Sequence, residues 1–142
     1  MTEPVWLLDS NVVMGYLNQD STPNFIPRVE QCFSEGAAVS IIPLIEVLGW
    51  RGHDDRSRSD AELLLRSLQL LDLSAVVVAQ TIGLRSSQAI KLPDAVIAAS
   101  ALVHRLTLAT RNVQDFDRIP ELVVRNPFDG GPFLPHQRVT PH

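Results

Sequence analysis

Short apolar runs alternate with longer amphipathic stretches along most of the chain. The runs with the length and composition of buried strands are residues 5–8, 37–41, 71–73, 107–109 and 122–124. The stretches with helical spacing of apolar residues are 11–17, 26–34, 74–85 and 92–106, and a short helix is expected around Glu46. Strands that alternate with helices predict an α/β fold with a central, mainly parallel β-sheet flanked by α-helices.

Several residues mark expected ends of these elements. Gly36 and Gly49 stand where helices can end, and Pro93 suits the first turn of a helix. The polar run 53–58 is predicted to be an exposed connection, and Ser59-Asp60-Ala61-Glu62 matches a capping box at the start of the next helix.

Length and composition favour one globular domain. The chain has 142 residues, of which 45% are hydrophobic and 20% charged. We expect a domain over residues 1–128 and an irregular, Pro/Gly-rich tail over 129–142. No apolar run is long enough to span a membrane, and the amino terminus lacks the basic start of a signal peptide, so a cytoplasmic protein is expected. Cys32 is the single cysteine and suits a small core position.

The charge balance limits the ways in which the chain could bind nucleic acid. A formal net charge of −4 argues against a protein that coats nucleic acid through positive charge alone. It does not exclude a nuclease, because bound divalent ions would offset negative charge where a phosphate approaches. Eleven of the twelve basic residues are Arg, which suits forked phosphate contacts as well as ordinary surface solubility.

Four acidic residues stand beside apolar elements. Asp9 closes the first strand, Glu46 lies within Ile41–Leu48, Asp94 opens an alanine-rich helix, and Asp115 follows a later strand. Because functional groups gather at the carboxyl ends of parallel strands, the four could share one site. Carboxylates are the ligands that Mg²⁺ and Mn²⁺ prefer, and such a site suits phosphodiester hydrolysis.

Each acid also has a structural explanation. Asp9 could cap a helix, Asp94 could complement a helix dipole, and Asp115 could close a turn. Glu46 could face outward, although burying it unpaired would be costly.

Four segments together carry a family resemblance. They are Leu7-Leu8-Asp9-Ser10-Asn11-Val12-Val13, the helix with Glu46, Leu92-Pro93-Asp94-Ala95-Val96-Ile97-Ala98-Ala99, and Thr110-Arg111-Asn112-Val113-Gln114-Asp115-Phe116. In this order they resemble PIN domains from about residue 5 to Phe128, and the size of the chain is most similar to the VapC toxins of bacterial toxin–antitoxin pairs.

The resemblance implies a Mg²⁺-dependent ribonuclease toxin, with Mn²⁺ as a substitute, that is neutralised by a cognate antitoxin and forms a homodimer. The catalytic and metal-binding residues that it implies are Asp9, Glu46, Asp94 and Asp115, with Asn11, Thr110 and Asn112 in support. Ser10 stands where Thr is commoner and keeps the hydroxyl. Asp117 is an alternative to Asp115, which is preferred because it precedes Phe116.

Other functions remain open. Haloacid-dehalogenase-like phosphatases also place an Asp after a first strand, but they usually need a second Asp at the position of Asn11. A non-catalytic PIN-like binding module and a housekeeping RNA-processing nuclease are the further alternatives. The four histidines lack the spacing of a zinc site. Three arginines near the acids in sequence could steer RNA but stay outside the predicted site: Arg85, Arg111 and Arg118.

Overall fold

The computed structural model describes residues 3–135, which fold around a five-stranded sheet of order β3-β2-β1-β4-β5. The strands are β1 (Trp6–Leu8), β2 (Ala37–Ser40), β3 (Gln69–Leu71), β4 (Thr107–Ala109) and β5 (Val124–Arg125). The α-helices are α1 (Ser10–Leu17), α2 (Phe25–Glu35), α3 (Ile41–Leu48), α4 (Asp55–Ser67), α5 (Ala75–Ser87) and α6 (Leu92–His104). Every strand pairing is parallel, which confirms the predicted fold class.

The central strand β1 separates two apolar layers. Trp6 and Leu8 pack with α1 to α4, whereas Leu7 packs with α5 and α6 on the opposite face. This alternation follows from the two-residue period of a strand. All three side chains are fully buried. Burial on both faces therefore explains the continuous apolar run of β1. The carboxyl end of β1 consequently lies in the interior of the fold.

A glycine sets the start of β2. Gly36 ends α2 with φ of 110°, a backbone conformation that side chains disfavour. A Cβ at this position would lie 2.9 Å from the carbonyl oxygen of Glu3. The Gly36 carbonyl in turn accepts hydrogen bonds from the main chain of Val5 and Trp6. Gly36 thus ends α2, as the sequence predicts, and holds the starts of β1 and β2 together.

The prediction for the start of α4 is wrong. The helix begins at Asp55, inside the stretch expected to be a loop, and Ser59–Glu62 lies within it. The capping box is made instead by Asp54, which accepts from the Ser57 amide, while the Ser57 hydroxyl accepts from the Asp54 amide. Because these bonds satisfy the first free amides of the helix, the helix begins one turn early. No helix in residues 3–135 is long and apolar enough to cross a membrane.

Two strands lie apart from their predicted positions. β3 covers residues 69–71 where 71–73 was predicted, because Leu71 pairs with Ser40 and Ser74 already caps α5. β5 covers 124–125 where 122–124 was predicted, in register with β4. Pro93 occupies the second position of α6, since the helix starts at Leu92. Strand pairing, which is a long-range property, sets the bounds of β3 and β5.

The segment after residue 128 packs against α2 and β1. The ring of Phe133 stacks on Trp6 at 4.5 Å between centroids. Arg28 donates to the carbonyl of Gly131 at 2.9 Å, and Gln31 donates to the carbonyl of Phe133 at 3.1 Å. The domain boundary at 128 stays a prediction, and the last part of the predicted tail, 136–142, lies outside the described residues.

Candidate active site

Asp9 lies directly after β1 at the carboxyl edge of the sheet. The register pairs Leu8 with Ala109 and Leu7 with Ala38. If each strand is continued past its last paired residue in the same register, Asp9 lies between Thr110 on one side and Ser40 on the other. Asp9 is only 5% exposed, and both neighbours are fully buried. The end of the central strand thus carries a carboxylate into the interior of the fold.

The Asp9 carboxylate is held by hydrogen bonds to both oxygens. Its Oδ2 accepts from Thr110 Oγ1 at 2.8 Å and from Asn11 Nδ2 at 3.4 Å. Its Oδ1 accepts from the Ser10 amide at 2.8 Å, which makes Asp9 the N-cap of α1. Burial raises the pKa of Asp9, whereas the bonds from Thr110 and Ser10 oppose that rise. The capping role and a functional role are therefore compatible.

The predicted supporting residues connect Asp9 to the loop after β4. Thr110 Oγ1 accepts from Asn11 Nδ2 at 3.3 Å and from the Asn112 amide at 3.0 Å. Asn11 Oδ1 accepts from the Arg111 amide at 3.1 Å. Asn112 contributes through its main chain in these bonds. Asn11 and Thr110 thus fix the Asp9 side chain and the path of the 110–112 loop together.

Glu46 is not embedded among apolar side chains. It lies with Ile45 on the exposed face of α3, so the outward-facing alternative describes its environment. A partial loss of solvent raises its pKa, and the charges of Asp9 and Asp94 raise it further, while a hydrogen bond with Ser10 lowers it. Glu46 is therefore at the rim of the same acidic region, within electrostatic range of two of its members.

Asp94 and Asp115 complete the acidic region. Asp94 lies in the first turn of α6, and Asp115 ends a short 3₁₀ helix, Val113–Asp115. Burial raises the pKa of Asp94, and the negative charges of Asp115 and Asp9 raise it further. Asp115 also contributes to the raised pKa of Asp9. These interactions involve Asp115 and not Asp117, which supports the preference for Asp115.

The acids raise one another's pKa values, and among the described residues none of them forms an ion pair. The ion pair found within residues 3–135 joins Arg111 to Asp20, outside this group, and only the longer-range charge of Lys91 lowers the pKa of Asp94. In the same part of the chain, no three acidic, His or Cys side chains are close enough to form a ready metal site. Facing carboxylates repel, which explains why they stand apart. The structure therefore shows an acidic region and not a closed ligand cage.

The donor chemistry of this region fits a hard divalent cation. Its ligands would all be carboxylate oxygens, as Mg²⁺ and Mn²⁺ prefer and as zinc sites seldom are. Ser40 adds a second observation, because its buried Oγ has no hydrogen-bond partner among the described residues. Ser40 is the N-cap of α3, but the third residue of that helix is Pro43, which has no amide proton to donate. An unpaired hydroxyl thus lies one strand away from Asp9.

Comparison with known protein families identifies the family to which the chain belongs. The sequence profile of the PIN domain matches residues 6–122, which include all four acids. The chain belongs to the PIN-domain family. The resemblance inferred from the sequence motifs is thereby confirmed.

Individual relatives give more detail. Ribonuclease VapC2 of Rickettsia felis is 26% identical over 132 residues, covering 86% of this chain and 97% of that protein. The VapBC2 structure from Rickettsia felis, bound to a DNA fragment from its promoter, has a TM-score of 0.74 at 25% identity and covers 85% of this chain and 97% of that one. A toxin–antitoxin complex from Klebsiella pneumoniae has a TM-score of 0.68 at 28% identity, with 85% and 96% covered.

Sequence reasoning missed three features around the acids. The Ser10 hydroxyl interacts with Glu46, and the unpaired Ser40 hydroxyl lies beside Asp9. Arg111 is held between Asp20 and Phe128. The Ser40–Pro43 spacing could have revealed the missing cap bond. The Arg111 contacts bring together residues far apart in the chain and had no local signal.

Proposed function

We propose that this PIN-domain protein is a ribonuclease that hydrolyses RNA phosphodiester bonds with Mg²⁺, for which Mn²⁺ substitutes, and that it acts as the toxin of a toxin–antitoxin pair. The observation that carries the proposal is the set of mutually interacting carboxylates, of which Asp9 and Asp94 have raised pKa values and none forms an ion pair among the described residues. Such a group needs a cation to be stable when ionised. The names of the relatives, Ribonuclease VapC2 and the VapBC2 complex, support the choice of substrate and partner.

We assign each residue a role in metal binding or catalysis according to its environment. Asp9, Asp94 and Asp115 would hold the ion, because the charge of Asp115 raises the pKa values of both Asp9 and Asp94. When bound, a divalent ion lowers the pKa of a water ligand and neutralises charge on the phosphate. Glu46, at the exposed rim with a raised pKa, is placed to orient the attacking water and accept its proton. Thr110 and Asn11 hold the Asp9 side chain in place, and the Thr110 bond opposes the rise of its pKa.

The surface beside Glu46 suits a protein partner. Ile45 is 59% exposed and Trp50, just beyond the end of α3, is 47% exposed, so apolar surface lies beside the acidic region. An antitoxin segment with an apolar face and an Arg would match both properties. We propose that the cognate antitoxin covers this surface and so prevents RNA from reaching the acids.

Two alternatives can be separated from this proposal. A housekeeping RNA-processing nuclease would use the same acids but would not arrest growth. A non-catalytic binding module would have no need for Asp9, Glu46 and Asp94 to face one another at an energetic cost, and this cost favours catalysis.

The activity is tested by incubating purified protein with RNA in Mg²⁺, in Mn²⁺ and in chelator. We expect cleavage only with the ions and none by Asp94→Asn, whose side chain has the same shape without the charge. Asp117→Asn is the matched control, because it neutralises a nearby exposed acid outside the interacting group. Cleavage that persists in chelator would contradict the proposal.

The toxin role is tested by induced expression in bacteria. Wild type should arrest growth, Asp94→Asn should not, and co-expression of the gene encoded beside this one should restore growth. Equal toxicity of wild type and Asp94→Asn would exclude a catalytic toxin. Cleavage without growth arrest would favour the housekeeping nuclease.

A further inference from the structure

Arg111 follows Thr110 directly, and both its main chain and its guanidinium make defined contacts. Its main-chain amide donates to Asn11 Oδ1, the side chain that also binds Asp9. Its guanidinium lies over the ring of Phe128 at 3.8 Å from the centroid. This distance suits a cation–π contact, which orients the guanidinium without using its N–H donors. The Arg111 main chain is thus linked through Asn11 to Asp9, and its guanidinium is held in one orientation against Phe128.

The ion pair between the Arg111 guanidinium and Asp20 contributes little to the stability of the fold. The pair between Arg111 Nη2 and Asp20 Oδ2 is 3.8 Å long, and the Arg111 side chain is 53% exposed. Exposed pairs of this kind contribute little to stability. Asp20 is already satisfied by the amide and hydroxyl of Thr22, which bind its other oxygen and lower its pKa. Arg111 can therefore leave Asp20 at low cost.

The surroundings leave room for a nucleic-acid strand. Beside the Arg111–Asp20 pair runs an open groove of about 480 Å³ between α1 and α2, lined by Tyr16, Gln19, Asp20, Ser21 and Ile26. Arg111 links this groove to the acidic region, because its guanidinium pairs with Asp20 in the groove lining while its amide binds Asn11.

We infer that Arg111 binds an RNA phosphate next to the one that is cleaved, and that Asp20 occupies the guanidinium until RNA replaces it. This inference rests on the proposed ribonuclease function and adds a substrate-binding residue to it. Arg suits the role because its planar fork binds two phosphate oxygens at once. Phe128 is then a positioning residue that keeps the fork aimed at the strand.

The test is RNA binding measured by fluorescence anisotropy with a labelled, mixed-sequence, single-stranded RNA. All variants are made in the Asp94→Asn background so that the RNA stays intact. Arg111→Gln should weaken binding roughly fivefold at low salt and make the salt dependence shallower by about 0.7 in log–log slope, the value for one lost single-strand phosphate contact. Arg66→Gln is the matched control, because Arg66 lies just before β3 at the opposite edge of the sheet.

A double-mutant cycle tests the role of Asp20. Asp20→Asn should tighten RNA binding when Arg111 is present and should have little effect together with Arg111→Gln. An Arg111 that served the fold alone would lower the melting temperature without changing the salt slope, and that result would overturn the inference.

The remaining outcomes separate the inference from the proposed function. If Arg111→Gln binds RNA like Arg66→Gln while intact protein still cleaves RNA in an Asp94-dependent manner, only the inference is wrong. If Arg111→Gln, with Asp94 intact, cleaves normally but escapes the neutralising neighbour gene, the guanidinium binds a protein partner and the inference is also wrong. Failure of the wild type to cleave RNA would contradict the proposed function itself.

Discussion

Replacing Thr110 by Val tests how the fold holds Asp9 and limits the rise of its pKa. Thr110 is fully buried, and its hydroxyl donates to Asp9 Oδ2 while accepting from Asn11 and from the Asn112 amide. Val has nearly the same shape but cannot make any of these three bonds. The substitution therefore removes the centre of the hydrogen-bond network and leaves the surrounding packing almost unchanged.

The expected loss of stability follows from the partners involved. A hydrogen bond to a charged group contributes about 1.5–3 kcal/mol and a neutral one about 0.5–1.5 kcal/mol. Asn112 lies at the exposed side of the loop, where water can replace part of what its amide loses. We expect a net destabilisation of about 3 kcal/mol, which corresponds to a fall in melting temperature of roughly 10 °C for a chain of this size.

Thermal unfolding followed by circular dichroism measures this loss. Thr81→Val is the matched control, since Thr81 is also buried but its hydroxyl only bonds back to the Val77 carbonyl within α5. It should change stability by less than about 1 kcal/mol. Because the Thr110 bond lowers the pKa of Asp9, its loss should also move the acid limb of the cleavage–pH profile to higher pH. Equal melting temperatures for the two variants would refute the reasoning.

Three further predictions follow from the same structure. The pKa values of Asp9 and Asp94 are raised above the ordinary value of 3.8, so the metal-free folded state loses stability as pH rises above that value. Mn²⁺ should therefore raise the melting temperature more at about pH 7 than at about pH 5. An equal increase at both pH values would count against the site. Ser40→Ala removes a buried unpaired hydroxyl and should raise the free energy of unfolding by about 1 kcal/mol in urea titrations; a loss of stability would mean that the hydroxyl is paired in solution. The exposed apolar face of α5, where Val78 is 38% and Ile82 is 62% exposed, is the surface we propose for the homodimer, so Ile82→Glu should lower the mass measured by light scattering from dimer to monomer; an unchanged mass would place the interface elsewhere.

The sequence predicted the architecture because the relevant signals are local. Apolar runs and helical spacing located β1, β4, α5 and α6 to within a few residues. The bounds of β3 and β5 depend on which strands pair, and no local pattern encodes that choice. The early start of α4 was accessible in principle, because Asp54 and Ser57 have capping-box spacing, but the surrounding charges suggested a loop.

The site was predictable to a similar extent. The position of Asp9 after a strand and of Asp94 at a helix start indicated that they would meet, and their mutual effects on pKa are consistent with this. The exposure of Glu46 was not predictable, because its two apolar neighbours differ: Ile45 is exposed, whereas Val47 is buried. Contacts across a hundred residues, such as Arg111 with Asp20 and Asn11, depend on the complete fold.

Calorimetric titration of Mn²⁺, combined with RNA cleavage on the same samples, tests the central claim most directly. Wild type should bind Mn²⁺ and cleave RNA. Asp94→Asn and Asp115→Asn should lose both properties while they retain the wild-type circular dichroism spectrum, and Asp117→Asn should keep both. Mn²⁺ binding and cleavage by Asp94→Asn at the level of wild type would contradict the assignment of these acids as a metal-dependent ribonuclease site.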